Sequence, residues 1–282
     1  MIKIISDISE IRRLCDENRL DGKRIGLVPT MGAFHAGHLS LIRRALEKTD
    51  FVVVSIYVNP IQFGNNEDLD SYPRNLTADA LLAEKHGAHV VFAPNDEIMY
   101  PDGYSSYVTV EGLPDVLCGR SRPGHFRGVT TVVSKLFNII RPHVAVFGQK
   151  DAQQLSVIRK MVHDLNMDID IDAGKIIREP DGLAMSSRNQ YLTGEQREQA
   201  PVLYKSLLAA KKLIEGGVIG VPEITGEIKS VLDNAFLTEI EYIEIVDVEK
   251  MSPIENVSQG ALIAIAVWIG ETRLIDNIII DV

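Results

Sequence analysis

Gly22-Lys23-Arg24-Ile25-Gly26-Leu27-Val28-Pro29-Thr30-Met31-Gly32-Ala33-Phe34-His35-Ala36-Gly37-His38-Leu39 is the stretch from which the fold is read. A short apolar run bounded by glycine comes first, and Leu39-Ser40-Leu41-Ile42-Arg43-Arg44-Ala45-Leu46 then repeats apolar residues at helical spacing. The pattern predicts a strand, a glycine-bearing turn and a helix. The first turn of such a helix leaves backbone N–H groups unpaired and aimed past the strand end, where they favour an anion. His35 and His38 stand at that point, and Gly37 between them lets a bulky ligand approach the backbone. Neutral imidazoles can donate to phosphate oxygens, so a nucleotide is the expected guest. Zinc is a competing reading of two histidines three apart, but no cysteine lies nearby and the acidic base of H-E-x-x-H is missing. Two surface histidines without a ligand would show the same spacing, so this motif alone leaves the choice open.

Working outward, Ile8, Ile11, Leu14 and Cys15 predict a helix face after a short N-terminal strand. Phe51 to Val58 is a continuous apolar run suited to a strand covered on both faces, which makes a βαβ unit with a parallel sheet. Asn59-Pro60-Ile61-Gln62-Phe63-Gly64 follows that strand's end, on the rim where open α/β sheets bind ligands. A helix at Thr77 to Lys85 and a strand at Ala88 to Ala93 come next. Gly119 to Gly128 reads as a basic, flexible loop and candidate anion clamp ahead of a helix from Val129 to Ile140. His143 to Phe147 is a further strand, ending in Gly148-Gln149-Lys150-Asp151-Ala152-Gln153-Gln154 and a helix to Leu165. A strand at Asp168 to Ala173 precedes the hydroxyl-rich loop Arg178 to Asn189.

From Thr193 the pattern changes to helices at Glu195 to Ile214 and Val221 to Ala235, then strands at Ile240 to Val248, Ala261 to Ile269 and Leu274 to Val282. The expected architecture is therefore α/β. A Rossmann-like parallel sheet with helices on both faces occupies residues 1–179, and a smaller α+β domain occupies residues 180–282.

Composition narrows the function. The 282 residues, 45% hydrophobic and 24% charged, suit an ordinary globular chain. A net charge of −10 argues against a nucleic-acid-coating surface, which needs a basic stripe. Cys15 and Cys118 fit no disulfide or C-x-x-C framework. Charged residues interrupt the N-terminus where a signal peptide needs an apolar core, and Ala261 to Ile269 falls short of the roughly 20 residues of a membrane span. A cytoplasmic protein with no membrane partner is expected.

The histidine motif resembles the H-x-G-H signature of the nucleotidylyltransferase superfamily, and Met185-Ser186-Ser187-Arg188 stands where those enzymes carry a K-M-S-K-S type loop. The likeness becomes more specific with Pro29-Thr30-Met31-Gly32, Asn59 to Gly64, Tyr72-Pro73-Arg74, Arg122-Pro123-Gly124-His125-Phe126-Arg127-Gly128, Gly148 to Gln154 and Asp181 to Asn189. Together these blocks resemble the pantoate–β-alanine ligase family. Departures are small: Phe34 and Ala36 vary the middle of the histidine motif, and Gln149 takes a place often held by glutamate.

The resemblance implies ATP as substrate, Mg²⁺, a pantoyl adenylate intermediate and a homodimer. It implies that His35, His38 and Lys150 contact phosphate, with His38 as proton donor, and that Ser186, Ser187 and Arg188 clamp the leaving group. The ATP site it implies takes in Met31, Gly32, Ala33, Phe34, Ala36 and Gly37 around those histidines. Gly148, Gln149 and Asp151 would join it around Lys150, and Ile177 and Met185 beside the serine loop. Gln62, Gln154 and Met31 would bind pantoate, Gln62 also β-alanine, and Asp79 and Asp151 are the candidate Mg²⁺ ligands. Neutral amides suit pantoate, because a bidentate arginine would drain its carboxylate of nucleophilicity. The nearest rivals are another nucleotidylyltransferase, which would want more cations at the acceptor site, and a nucleotide sensor, which would need no phosphorus-directed Lys150. A P-loop ATPase and a Rossmann dehydrogenase lack their glycine motifs here.

Overall fold

The computed structural model describes residues 1–64 and 67–281. The first half of the chain runs β1 (Lys3–Ile5), α1 (Ile8–Leu20), β2 (Ile25–Thr30), α2 (Ala36–Leu46), β3 (Phe51–Ile56), α3 (Leu76–Lys85), β4 (Val90–Phe92), α4 (Asp96–Met99), α5 (Leu117–Ser121) and α6 (His125–Ile140). The second runs β5 (Val144–Gly148), α7 (Ala152–Asp164), β6 (Asp170–Gly174), α8 (Gly194–Gln199), α9 (Val202–Glu215), α10 (Val221–Leu232), β7 (Thr238–Asp247), β8 (Ala261–Ile269) and β9 (Thr272–Ile280). These form two compact units. One comprises Met1–Glu111, Arg122–Gln149 and Val157–Lys175, the other Gly112–Ser121, Lys150–Ser156 and Ile176–Val282.

The first unit is built on a parallel sheet of order β1-β4-β3-β2-β5-β6 among the described residues. From β2 the chain winds outward through β3 and β4, then returns to β5 on the other flank of β2. The β2/β5 boundary is thus the point where strand order reverses, and open α/β sheets bind ligands beyond the strand ends at such a point. Val28, Val52, Val54, Val91, Val144 and Val146 pack with Leu41, Ile42 and Ala45 of α2 and Ala80 and Ala83 of α3 on one face. Neighbouring strand residues point the other way, towards the side that α1 and α6 approach. Polar chemistry is left to the strand ends.

Helix α6 begins at His125, four residues before the sequence pattern places it, and α5 takes up part of the expected flexible loop. Gly124, at φ +84°, turns the chain so that the helix can start there, and the first turn buries His125, Phe126 and Gly128. Gly128 has no room for a side chain: a Cβ would lie 2.5 Å from the Ile61 carbonyl oxygen and 2.6 Å from Gln62 Cα. The helix therefore abuts the Pro60–Gln62 turn backbone to backbone.

The second unit holds an antiparallel sheet of order β7-β8-β9. Along β8 the residues alternate strictly. Ile263, Ile265, Val267 and Ile269 join Leu203, Leu207, Ala210, Ile224 and Ile228 of α9 and α10, while Leu262 and Ala264 join Leu117, Ala152, Val246 and Met251. Pro201 divides the helix expected from Glu195 to Ile214, since it has no N–H to offer. Of the expected last strand, Val282 lies outside the described residues. No helix among the described residues is long and apolar enough to cross a membrane.

Gly128→Ala tests the close approach. Alanine favours a helix interior by about 1 kcal/mol over glycine, but overpacking against immovable backbone costs about 1–3 kcal/mol. The thermal midpoint is expected to fall, and a raised midpoint would mean that the Pro60–Gln62 turn yields freely.

Candidate active site

The turn after β2 is the first part of the site. Gly32 and Ala33 both have positive φ, +90° and +53°, the second uncommon for a residue with a Cβ. Asp79 holds them there: its two carboxylate oxygens accept the N–H groups of Ala33 (2.9 Å) and Phe34 (2.8 Å), and the residue is 3% exposed. His35 then caps α2, its Nδ1 accepting from the Gly37 N–H at 3.1 Å, and His38 Nδ1 accepts more weakly from the His35 N–H at 3.4 Å. An imidazole nitrogen that accepts carries no proton, so each neutral ring bears its hydrogen on Nε2. The rings lie 4.2 Å apart between centroids, with Phe34 stacked on His38. Ala36 and Gly37 open the first turn of the helix; Gly148 ends β5, the strand paired beside β2, and Gln149 begins the 3-10 turn that follows it.

A chain of neutral hydrogen bonds leads to Gln62. Tyr100 donates its hydroxyl to Asn59 Oδ1 (2.7 Å), Asn59 donates to Gln62 Oε1 (3.0 Å) and to the Gly128 carbonyl, and Gln62 Nε2 reaches Met31 Sδ at 3.1 Å. Burial, reinforced by Tyr104 and Asp96, pushes the Tyr100 hydroxyl upward in pKa, so it stays a donor. Gln62 is 8% exposed, and these bonds set its orientation. The Gln62 backbone carbonyl is met by His125 Nδ1 at 2.8 Å, and Arg122 approaches His125 Nε2 at 3.2 Å. Arg122 itself forks onto Glu67.

The arginines of the expected anion clamp are therefore engaged with the protein. Arg122 pairs with Glu67, Arg127 lies over the Tyr107 ring at 3.7 Å, and Arg120 pairs with Glu244.

In the second unit, half-buried Lys150 and exposed Asp151 immediately precede α7. Gln153 and Gln154 look alike in sequence and differ in environment. Gln153, 5% exposed, donates to the Leu113 and Val116 carbonyls, whereas Gln154 is half-buried. Residues 177–185 form a small hairpin closed by Met185 N–H to the Ile177 carbonyl (2.9 Å) and Glu179 N–H to the Leu183 carbonyl (2.8 Å). It delivers Ser186, whose Oγ accepts from the Arg188 N–H at 3.3 Å, and buried Ser187 at the start of a short 3-10 turn.

Within the first unit, the structure thus brings together His35, His38, Met31 and the turn around them, and ties Met31 to Gln62. Within the second it joins Ile177 to Met185. Sequence reasoning missed Asn59, Tyr100 and Glu67, and read Asp79 as a metal ligand; Asn59 at least lies inside a quoted motif.

Glu67 offers a pH test. Burial alone would raise its pKa, but the hydrogen bonds and charge of Arg122 outweigh it, so the carboxyl sits below the usual carboxylate range. A depressed folded pKa stabilises the fold above the unfolded value, near 4.3 for glutamate, and that gain is lost as pH falls through the folded value. The gap in thermal midpoint between wild type and Glu67→Gln is expected to narrow from neutral pH to about pH 3. A gap that does not change with pH would show that the pair contributes nothing.

Comparison with known proteins gives the same direction. The Pantoate-beta-alanine ligase family model matches residues 3–279. A pantothenate synthetase of Thermosipho melanesiensis is 53% identical over 99% of both chains, and one of Acetivibrio thermocellus 51% identical over 100% of both. The crystal structure of pantothenate synthetase from Thermus thermophilus superposes with a TM-score of 0.95 at 41% identity, covering 100% of both chains. A Francisella tularensis pantoate-beta-alanine ligase, complexed with beta-gamma ATP and beta-alanine, superposes with a TM-score of 0.82 at 33% identity, covering 99% of this chain and 98% of that one. On fold, site and near-complete sequence match, the chain belongs to the pantoate–β-alanine ligase family and is an ATP-dependent ligase of pantoate and β-alanine.

Proposed function

We propose that the ligation runs through pantoyl adenylate, with the groups described above in specific roles. The pantoate carboxylate oxygen bonds to the α-phosphorus of ATP while the bond to pyrophosphate breaks. The β-alanine amine then attacks the pantoyl carbonyl, AMP leaves, and the amine gives up a proton as the amide forms. The first step joins two anions, so preorganised donors aimed at the phosphoryl oxygens supply most of the acceleration. Lys150 and the Nε2–H groups of His35 and His38 are assigned to those oxygens, and Ser186, Ser187 and Arg188 to the departing pyrophosphate. The proton-donor role that the resemblance implies for His38 is, for a neutral ring, donation of a hydrogen bond from Nε2 without transfer of the proton. The nucleotide is assigned to the backbone from Met31 to His38, to Gly148, Gln149 and Asp151, and to Ile177 and Met185.

The observation that carries this reading is the capped turn. Both imidazoles spend Nδ1 on the helix backbone, which leaves the proton on Nε2 across the ring, at a helix N-terminus that favours an anion. Gln62, Gln154 and Met31 are assigned to pantoate, and Gln62 also to β-alanine. The neutral Tyr100–Asn59–Gln62 relay fixes an amide in place without putting a cation on the nucleophile.

Mg²⁺ would accompany the ATP phosphates. Among the described residues no group of three or more His, Cys, Asp or Glu side chains forms a cage, and both Asp79 oxygens serve the turn. Mg²⁺ needs no cage, since one or two carboxylates plus substrate phosphates usually hold it. Exposed Asp151, beside Lys150, fits that part, and Asp79 is reassigned to holding the turn. When bound, the ion would offset charge on the phosphate oxygens.

Lys150→Ala and His38→Ala are each expected to slow pyrophosphate release by at least about tenfold, about 1.4 kcal/mol of barrier, with the fold intact by circular dichroism. Near-normal release would remove the assignment. Calorimetry on Gln62→Ala and Gln154→Ala should show weakened pantoate binding and little change for ATP; the reverse pattern would count against the amides. The family resemblance also supports a cytoplasmic homodimer, and sedimentation at the mass of a single chain would sink the dimer.

A further inference from the structure

The C-terminal sheet has been given no part in the chemistry so far. Asp276 and Asn277, adjacent on β9 and each 3% exposed, nevertheless reach two of the segments that the proposed function uses. Asn277 Nδ2 donates to the backbone carbonyl of Lys150 at 2.9 Å. Asp276 takes both arms of the Arg178 guanidinium, at 2.6 and 3.0 Å. Arg178 in turn donates to the Gly182 carbonyl at 3.1 Å and lies over the Tyr204 ring at 3.6 Å, at the base of the hairpin that delivers Ser186 to Arg188.

Successive strand residues point to opposite faces of a sheet. The strand register agrees: Asp276 pairs with Ile265, which packs against α9 and α10 together with Leu183 of the hairpin, and Asn277 pairs with Ala264, which packs with Ala152 just after Lys150. A single strand thus pins the Lys150 segment on one face and the serine hairpin on the other. The backbone N–H of Asn277 also donates to Asp276 Oδ1 at 2.8 Å, so the two anchors cannot shift independently.

We propose that Asp276 and Asn277 are positioning residues for adenylate formation, setting the spacing between Lys150 and the Ser186–Arg188 loop. The inference rests on the proposed phosphate roles of those groups. Misplacement by about an ångström can cost a catalytic step heavily even when every reacting group is present. A buried carboxylate must keep its partner, so Asp276 variants are poor probes and Asn277 is the useful one.

The test uses the full chain and four proteins: wild type, Lys150→Ala, Asn277→Ala and the double variant. Pyrophosphate release is measured at saturating ATP and pantoate, and aminolysis is measured separately on supplied pantoyl adenylate. Asn277→Ala is expected to slow pyrophosphate release by at least about fivefold with aminolysis within about twofold of wild type, and the double variant to be no slower than Lys150→Ala alone. Multiplying losses, or equal losses in both steps, would mark Asn277 as merely structural and overturn the proposal. Normal release by Asn277→Ala beside an impaired Lys150→Ala would overturn it too, leaving the phosphate reading intact. Normal release by Lys150→Ala would remove that reading and the proposal with it. Should Asn277→Ala fail to fold, Arg178→Lys paired with Arg188→Ala gives the same cycle from the hairpin side, with non-additive losses expected and multiplying losses overturning the proposal.

Discussion

Two backbone amides, those of Ala33 and Phe34, end on the carboxylate of Asp79, and the turn after β2 keeps its shape because they do. Ala33 sits in left-handed backbone that a residue with a Cβ adopts only when its surroundings compensate. The turn and the carboxylate depend on each other. Asp79 is almost wholly buried, and a buried carboxylate without donors would cost several kcal/mol. Once the turn is fixed, His35 falls at the N-cap of α2 and His38 one turn along, and the tautomer of both rings follows from the backbone N–H groups they accept. The tautomer of the imidazoles thus depends on an acid on α3, outside the quoted sequence blocks.

The same arrangement recurs at Gln62 and at the serine hairpin. Gln62 is oriented by Asn59, and Asn59 by Tyr100. The hairpin that carries the serines is closed at its base by Arg178, which is aligned by Asp276. In each case a second polar group, itself buried or half-buried, removes rotational freedom from the first. Pre-ordering of this kind reduces the entropy cost of binding and keeps donors aimed where charge develops. The arginine of the R-P-G-H-F-R block follows the rule from the other side. Engaged by Glu67 and His125, Arg122 supports the Gln62 backbone through His125 and is not a loose cation.

Most of the architecture was legible because it rests on local signals. The apolar runs of β2, β3 and β5, the helical spacing after Leu39 and the alternation in β8 each express burial within a few residues. What local pattern leaves illegible lies where a tertiary contact decides the outcome. The start of α6 looks like a glycine-rich loop until the flat approach of Gly128 to the Ile61 and Gln62 backbone is known. Asp79 looks like any acid in the first turn of a helix, and only the two amides across the turn give it a function. Gln153 and Gln154 cannot be told apart by type, because their difference is the presence of two carbonyls from residues 113–116 beside one of them. Partners distant in sequence leave no mark on the residues they choose.

That limit bears most on the C-terminal segment. Judged by pattern, β9 is an alternating strand whose polar residues would be taken for solvent-facing positions. Asp276 and Asn277 are instead nearly inaccessible, and both faces of the strand are used. A carboxylate and an amide buried side by side require matched partners, and those found are a guanidinium on the hairpin and a carbonyl at Lys150. Apolar residues would pack at these positions at lower desolvation cost, but they could not fix the azimuth of a hairpin or the height of a backbone turn. Directional hydrogen bonds can do both. The polar pair is accounted for if the geometry of the segments it holds matters more to the enzyme than the extra stability that a hydrophobic strand would give.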